Sequence, residues 1–375
     1  MEGKRALGLY VHIPFCKSKC VYCDFYSLPH SEEKMDAYAD ALRAQLRAFA
    51  PRAADHRVDS VYFGGGTPSY FGAARLCALL ETVFGFYDVT PDAEITLEAN
   101  PESARSVDAL HALRTAGFNR ISLGMQSADD DELRAIGRIH TNAQTAQAVA
   151  CARHAGFSNL SLDLIYGLPA QTSERWRENL AAAIALAPEH LSCYGLKAEP
   201  GTPLYAMREQ AQLPDDEAQA EMYLETVETL ARSGYAQYEI SNFARPGRES
   251  HHNLKYWTLG EYLGFGPGAH SDFGGRRFAW ARDLDAFLAG EIERSEDSVI
   301  APRSRAAEYL MLGLRTTRGI RAEECALPFG PAEKVLRECE QHGLAEYAGE
   351  RWRLTPQGFL VSNAIIVRVL EAMDL

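Results

Sequence analysis

Apolar and β-branched residues cluster in six short runs along the first half of the chain, at residues 7–13, 58–63, 95–99, 120–124, 160–165 and 190–196. Between them lie longer stretches whose apolar residues recur every three or four positions, at 37–50, 73–84, 107–116, 141–155 and 174–186. A short apolar run is a strand and a period of about 3.6 is an amphipathic helix. Strands alternating with helices predict βα units around a parallel sheet. Six units ending near residue 196 predict an α/β fold, an incomplete parallel (βα)6 barrel rather than a closed (βα)8 one.

After Gly274 the pattern changes. Residues 303–315 and 331–342 read as amphipathic helices, 343–358 (GLAEYAGERWRLTPQG) as a β-hairpin, and 359–371 as a last helix. Helices with one hairpin predict a smaller α+β module of winged-helix type at the C-terminus. The expected organisation is a partial barrel over 1–240, a connecting region over 241–300 and the module over 301–375.

With 375 residues, 46% hydrophobic and 24% charged, the chain can bury a large core. No leader-like apolar region opens it and no run is long enough to span a bilayer, so a cytoplasmic protein without direct membrane insertion is expected. A net charge of −13 argues against a nucleic-acid partner, whose binding surface is basic.

Cys16, Cys20 and Cys23 stand as C-x-x-x-C-x-x-C within LYVHIPFCKSKCVYCDFY. Zinc sites use four ligands, commonly from paired C-x-x-C or Cys/His sets, and no second pair follows. An odd number of thiols also speaks against disulfides. Three thiolates on one loop suit a 4Fe-4S cluster with one iron left open to a small molecule. The other cysteines, Cys77, Cys151, Cys193, Cys325 and Cys339, have no motif spacing.

Ligands of parallel βα folds sit at the C-terminal ends of the strands. There the sequence places the glycine loop Gly64-Gly65-Gly66-Thr67-Pro68, Glu98, Gly124 with Gln126, and Asp163, with Arg138 in a following loop. Singly, each has an ordinary reading as a turn residue or a helix cap. Together they offer partners for an amino group, a carboxylate and ribose hydroxyls.

The cysteine motif is the radical S-adenosylmethionine (SAM) signature. With GGGTP, LEANPE, ISLGMQS and LDLIYGLP in this order, the chain resembles the oxygen-independent coproporphyrinogen III oxidase group of radical SAM proteins along nearly its whole length. The resemblance implies cluster ligands at Cys16, Cys20 and Cys23. It implies SAM contacts at Tyr10, Tyr22, Gly65, Gly66, Thr67, Glu98, Gln126, Arg138 and Asp163. The group's enzymes can hold two SAM molecules, and a small residue of that second set aligns with Lys197.

Three departures separate the chain from the enzymes. Phe25 replaces the last cysteine of their C-x-x-C-x-C, the chain starts only nine residues before Tyr10, and HNLKYW at 252–257 matches the HNxxYW motif of a sister branch of haem chaperones. That branch implies haem as a ligand and acceptor haemoproteins as partners, with cluster-dependent homodimerisation compatible with the role. A neutral imidazole is a common axial haem ligand, which makes His252 the candidate, with His251 beside it and His270 behind it; His12 reads as structural. The same segment also reads as packing for the end of the barrel. The competing expectation is an enzyme that converts propionate side chains of coproporphyrinogen III to vinyl groups with loss of carbon dioxide.

Overall fold

A computed structural model describes residues 3–375. The first six strands are β1 (Arg5–Ile13), β2 (His56–Gly65), β3 (Val89–Ala99), β4 (Arg120–Gln126), β5 (Leu160–Tyr166) and β6 (His190–Gly195), each pairing parallel with the next. They are covered by α1 (Met35–Phe49), α2 (Ala73–Phe86), α3 (Val107–Ala116), α4 (Asn142–His154) and α5 (Ser173–Ala185). The expected (βα)6 core is therefore present, with every strand and helix in its expected place.

Alternation along each strand divides the sheet into two faces. Leu7, Leu9, Val11 and Ile13 of β1 are fully buried in the main core, which they share with Tyr38, Leu42 and Leu46 of α1. Tyr10 and His12 point the other way, into the barrel. Helix starts follow from local chemistry: Thr141 and Gln144 form a reciprocal capping box at α4, and the Ser106 hydroxyl caps α3.

The sheet runs on past the six units. After α6 (Asp216–Arg232), β7 (Ala236–Gln237) and β8 (Asn242–Ala244) extend the β6 side in antiparallel fashion. Helix α7 (His251–Trp257) follows. Next, β9 (Tyr262–Phe265) pairs parallel with β1, and β10 (His270–Phe273), β11 (Arg276–Trp280) and β12 (Arg294–Val299) add antiparallel strands beyond it. One twelve-stranded open sheet results, in the order β12-β11-β10-β9-β1-β2-β3-β4-β5-β6-β8-β7. A seventh parallel strand and these flanks are additions to the expected architecture.

Residues after 300 form α8 (Pro302–Gly313), α9 (Gly330–Gln341), the hairpin β13 (Ala345–Ala348) and β14 (Arg351–Leu354), and α10 (Ser362–Ala372). Leu310, Leu336, Trp352, Ile366 and Val369 make a second core there, which also takes in Tyr223 of α6. Among the described residues, no helix is long and apolar enough to cross a membrane.

Candidate functional site

The loop after β1 carries the three cysteines. It is held at its base, where the Leu28 amide donates to the Pro14 carbonyl at 2.6 Å, and at its tip, where Lys19 Nζ donates to the Phe25 carbonyl at 3.3 Å. The glycine loop after β2 hooks onto the same backbone: Gly66 N donates to Ile13 O and Thr67 N to Phe15 O, both at 2.8 Å. A Cβ on Gly66 would stand 2.8 Å from the Phe15 carbonyl oxygen, so the missing side chain serves this chain-to-chain approach.

Cys16, Cys20 and Cys23 line one cavity of about 330 Å³ at the C-terminal ends of the strands, within the size range of small-molecule sites. Among the described residues, no three His, Cys, Asp or Glu side chains group as a single bound ion would require. Three thiols of one loop that line one cavity fit a multi-iron cluster. Thr67 Oγ1 donates to Cys16 Sγ at 3.5 Å and Arg138 Nη1 to Cys20 Sγ at 3.6 Å, contacts that stabilise thiolate charge. Burial pushes the Cys16 and Cys23 thiols up.

Two carboxylates face the same space. Glu98 accepts from the Tyr62 hydroxyl at 2.7 Å and the Gly65 amide at 3.1 Å; burial outweighs these bonds and raises its pKa to about 7. Ser122 Oγ lies 3.0 and 3.1 Å from the two oxygens of Asp163, which burial also pushes upward. Arg138 is braced by Nη2, which donates to Asn100 Oδ1 at 2.6 Å and Gly124 O at 2.9 Å. Gln126 reaches the cavity from a left-handed backbone, φ 62°, where β4 slips register against β5. The set offers acceptors for an amino group, a fixed guanidinium for a carboxylate, and hydroxyl and amide groups for ribose. These are the polar parts of SAM, and Cys16, Cys20 and Cys23 would hold its cluster.

Tyr22, Gly65, Gly66, Thr67, Glu98, Gln126, Arg138 and Asp163 thus meet in this cavity, together with Lys197. Sequence reasoning missed Tyr62, Asn100, Arg120, Ser122 and Ser192, which also line it. The phase of each strand was the signal: Tyr62, Ser122 and Ser192 sit at barrel-facing positions.

Two expected residues lie elsewhere. Tyr10 lines a second cavity, its hydroxyl 3.1 Å from His12 Nδ1. His12 Nε2 is 2.9 Å from the Tyr26 carbonyl, an acceptor, so Nε2 carries the proton and Nδ1 accepts from Tyr10. Burial lowers the His12 pKa to about 4. His252 is 1% exposed, packed against the rings of Tyr10 and Tyr62 inside the barrel. Its Nδ1 is 3.0 Å from Ser60 Oγ and its Nε2 2.9 Å from the Tyr256 hydroxyl, which leaves no free lone pair for an iron in this conformation. Burial lowers its pKa to about 3. The polar segment HNLKYW is thus the short helix α7, plugged into the barrel. Its N-terminal amides at His251 and His252 donate to Glu94 of β3 at 3.2 and 3.1 Å, and Lys255 pairs with Asp59 at 2.7 Å.

Comparison with known proteins shows the family. The family described as Radical SAM superfamily matches residues 10–183, and HemN C-terminal domain matches residues 300–361. The heme chaperone HemW of Bacillus subtilis is 34% identical over 95% of this chain and 97% of its own. The mouse mitochondrial radical S-adenosyl methionine domain-containing protein 1 is 43% identical over 98% of this chain and 88% of its own. Among solved structures, coproporphyrinogen III oxidase (HemN) from Escherichia coli, a radical SAM enzyme, superposes with a TM-score of 0.84 at 26% identity, covering 98% of this chain and 90% of that one.

Proposed function

The chain belongs to the HemW family of the radical SAM superfamily, and from that premise we propose that it is a haem chaperone, binding haem and passing it to acceptor haemoproteins. The observation that carries this reading is likeness to a haem chaperone over nearly the full length of both chains. Phe25 supports it: 68% exposed, it stands at the cavity wall where the enzymes of the wider group carry a further thiol. When bound, a 4Fe-4S cluster would supply an open iron for the amino and carboxylate groups of SAM. The protein's share is to hold that cluster on three thiols, to set Glu98, Asp163 and Arg138 around SAM, and to keep the site on a rigid sheet. We place the protein in the cytoplasm, with homodimerisation as a further part of the proposal.

The oxidase architecture is shared, so the alternative is decided by turnover. Cluster-reconstituted protein is incubated anaerobically with reductant, SAM and coproporphyrinogen III, and porphyrins are separated by chromatography. The chaperone reading expects no protoporphyrinogen from protein that holds its cluster, and haem uptake by the same preparation with release to an apo-haemoprotein. Product formed over many turnovers would overturn it.

A further inference from the structure

A second cavity of about 360 Å³ lies beside the first, and Phe25 belongs to the lining of both. Tyr10, Tyr26, Tyr256 and Tyr262 wall it, with the rings of Tyr256 and Tyr262 4.7 Å apart and perpendicular. Such a wall offers flat apolar faces with polar tips. Three further groups carry charge or can bind metal in ways the fold does not use. Arg282 is exposed and makes no side-chain hydrogen bond or ion pair among the described residues. His270, the first residue of β10, is likewise exposed and unpartnered. Asp24 is the one acidic residue of the lining.

Haem asks for what this cavity presents: aromatic faces against a planar macrocycle, a cation at the rim for a propionate, and an imidazole with a free nitrogen for the iron. Three histidines lie in or behind the wall. His12 has both ring nitrogens engaged, with Tyr10 and Tyr26, and His252 has both engaged, with Ser60 and Tyr256. His270 is the one whose ring is open. Building on the haem-chaperone reading, we propose that this second cavity seats the haem, with His270 as an axial ligand and Arg282 holding a propionate. His252 is then a positioning residue: its bond to the Tyr256 hydroxyl orients a tyrosine of the wall.

The test is titration of ferric haem into the full-length, cluster-reconstituted protein, read by absorption and electron paramagnetic resonance. Wild type should take up haem with an imidazole-ligated spectrum. His270→Ala should lose that signature and regain it with added free imidazole, a rescue that a folding defect would not show. Arg282→Glu should weaken haem binding about tenfold while leaving the ligation spectrum intact. His252→Ala and Tyr256→Phe should weaken binding alike and keep the imidazole signature. Wild-type affinity and spectrum in both His270→Ala and Arg282→Glu would overturn the site, as would loss of the imidazole signature in His252→Ala alone. Failure of the wild type itself to take up haem would instead overturn the haem-chaperone reading on which the site rests.

Discussion

Glu98 is half-buried at the wall of the first cavity and His252 is fully buried, and desolvation displaces their pKa values in opposite directions, to about 7 and about 3. Between pH 4.5 and 7 folded Glu98 holds a proton that the unfolded chain has released, so its contribution makes stability fall as pH rises through that window. The size is on the order of 3 kcal/mol, from about 1.4 kcal/mol per unit. Between pH 6.5 and 3 the unfolded chain binds a proton on His252 that the folded one refuses, so stability falls as pH drops. Denaturant titrations of the cluster-free protein across pH should therefore show Glu98→Gln flattening the loss on the alkaline side only. An amino group of SAM donating N–H to Glu98 would favour the ionised carboxylate, so SAM binding should tighten from pH 6 to pH 8, and calorimetry on Glu98→Gln should find that dependence gone. Replacing any one of Cys16, Cys20 or Cys23 by serine should abolish the iron-sulfur absorbance after anaerobic reconstitution, whereas Cys77→Ser should leave it. Thr67, Glu98, Arg138 and Asp163 were readable from sequence because they are polar residues within or after the C-terminal halves of the strands, the end at which parallel folds bind ligands. Asn100 and Arg120 were not, since a loop asparagine and a strand-start arginine carry no chemical signature until the fold juxtaposes them.

Helix α7 takes the packing role that its sequence also allowed. His252 and Lys255 are buried, and the neighbouring strands show why. Glu94 on β3 neutralises the helix N-terminus, and Ser60 and Asp59 on β2 take His252 and Lys255. Glu94→Ala removes three hydrogen bonds from the start of α7, leaves Arg120 buried without its carboxylate at 3.9 Å, and should cost about 2 to 4 kcal/mol in thermal or chemical unfolding. The six parallel strands were legible because each is a short apolar-rich run between amphipathic helices. β9 and β10 were not, because each has four residues and lies among glycines, so neither period has room to declare itself.

Across the whole molecule, two cores share helix α6, which gives Met222 and Leu230 to the barrel and Tyr223 to the C-terminal module. Cutting the chain after residue 300 would bare Tyr223, Leu224 and Val227, and the shortened protein should melt at a lower temperature and elute as aggregate in size-exclusion chromatography. The module itself was legible as helices around a hairpin; its seat on α6 was not, because a helix with two apolar faces reads in sequence like one with a single broad face. The wall at Phe25 has a consequence of another kind. A side chain common to two chambers cannot be shifted by the occupant of one without altering the fit of the other. Thermodynamic reciprocity then requires that whatever factor SAM imposes on the affinity for haem, haem imposes on the affinity for SAM. With haem in the second cavity, as proposed, its loading and discharge would be coupled to SAM through the shared wall at Phe25.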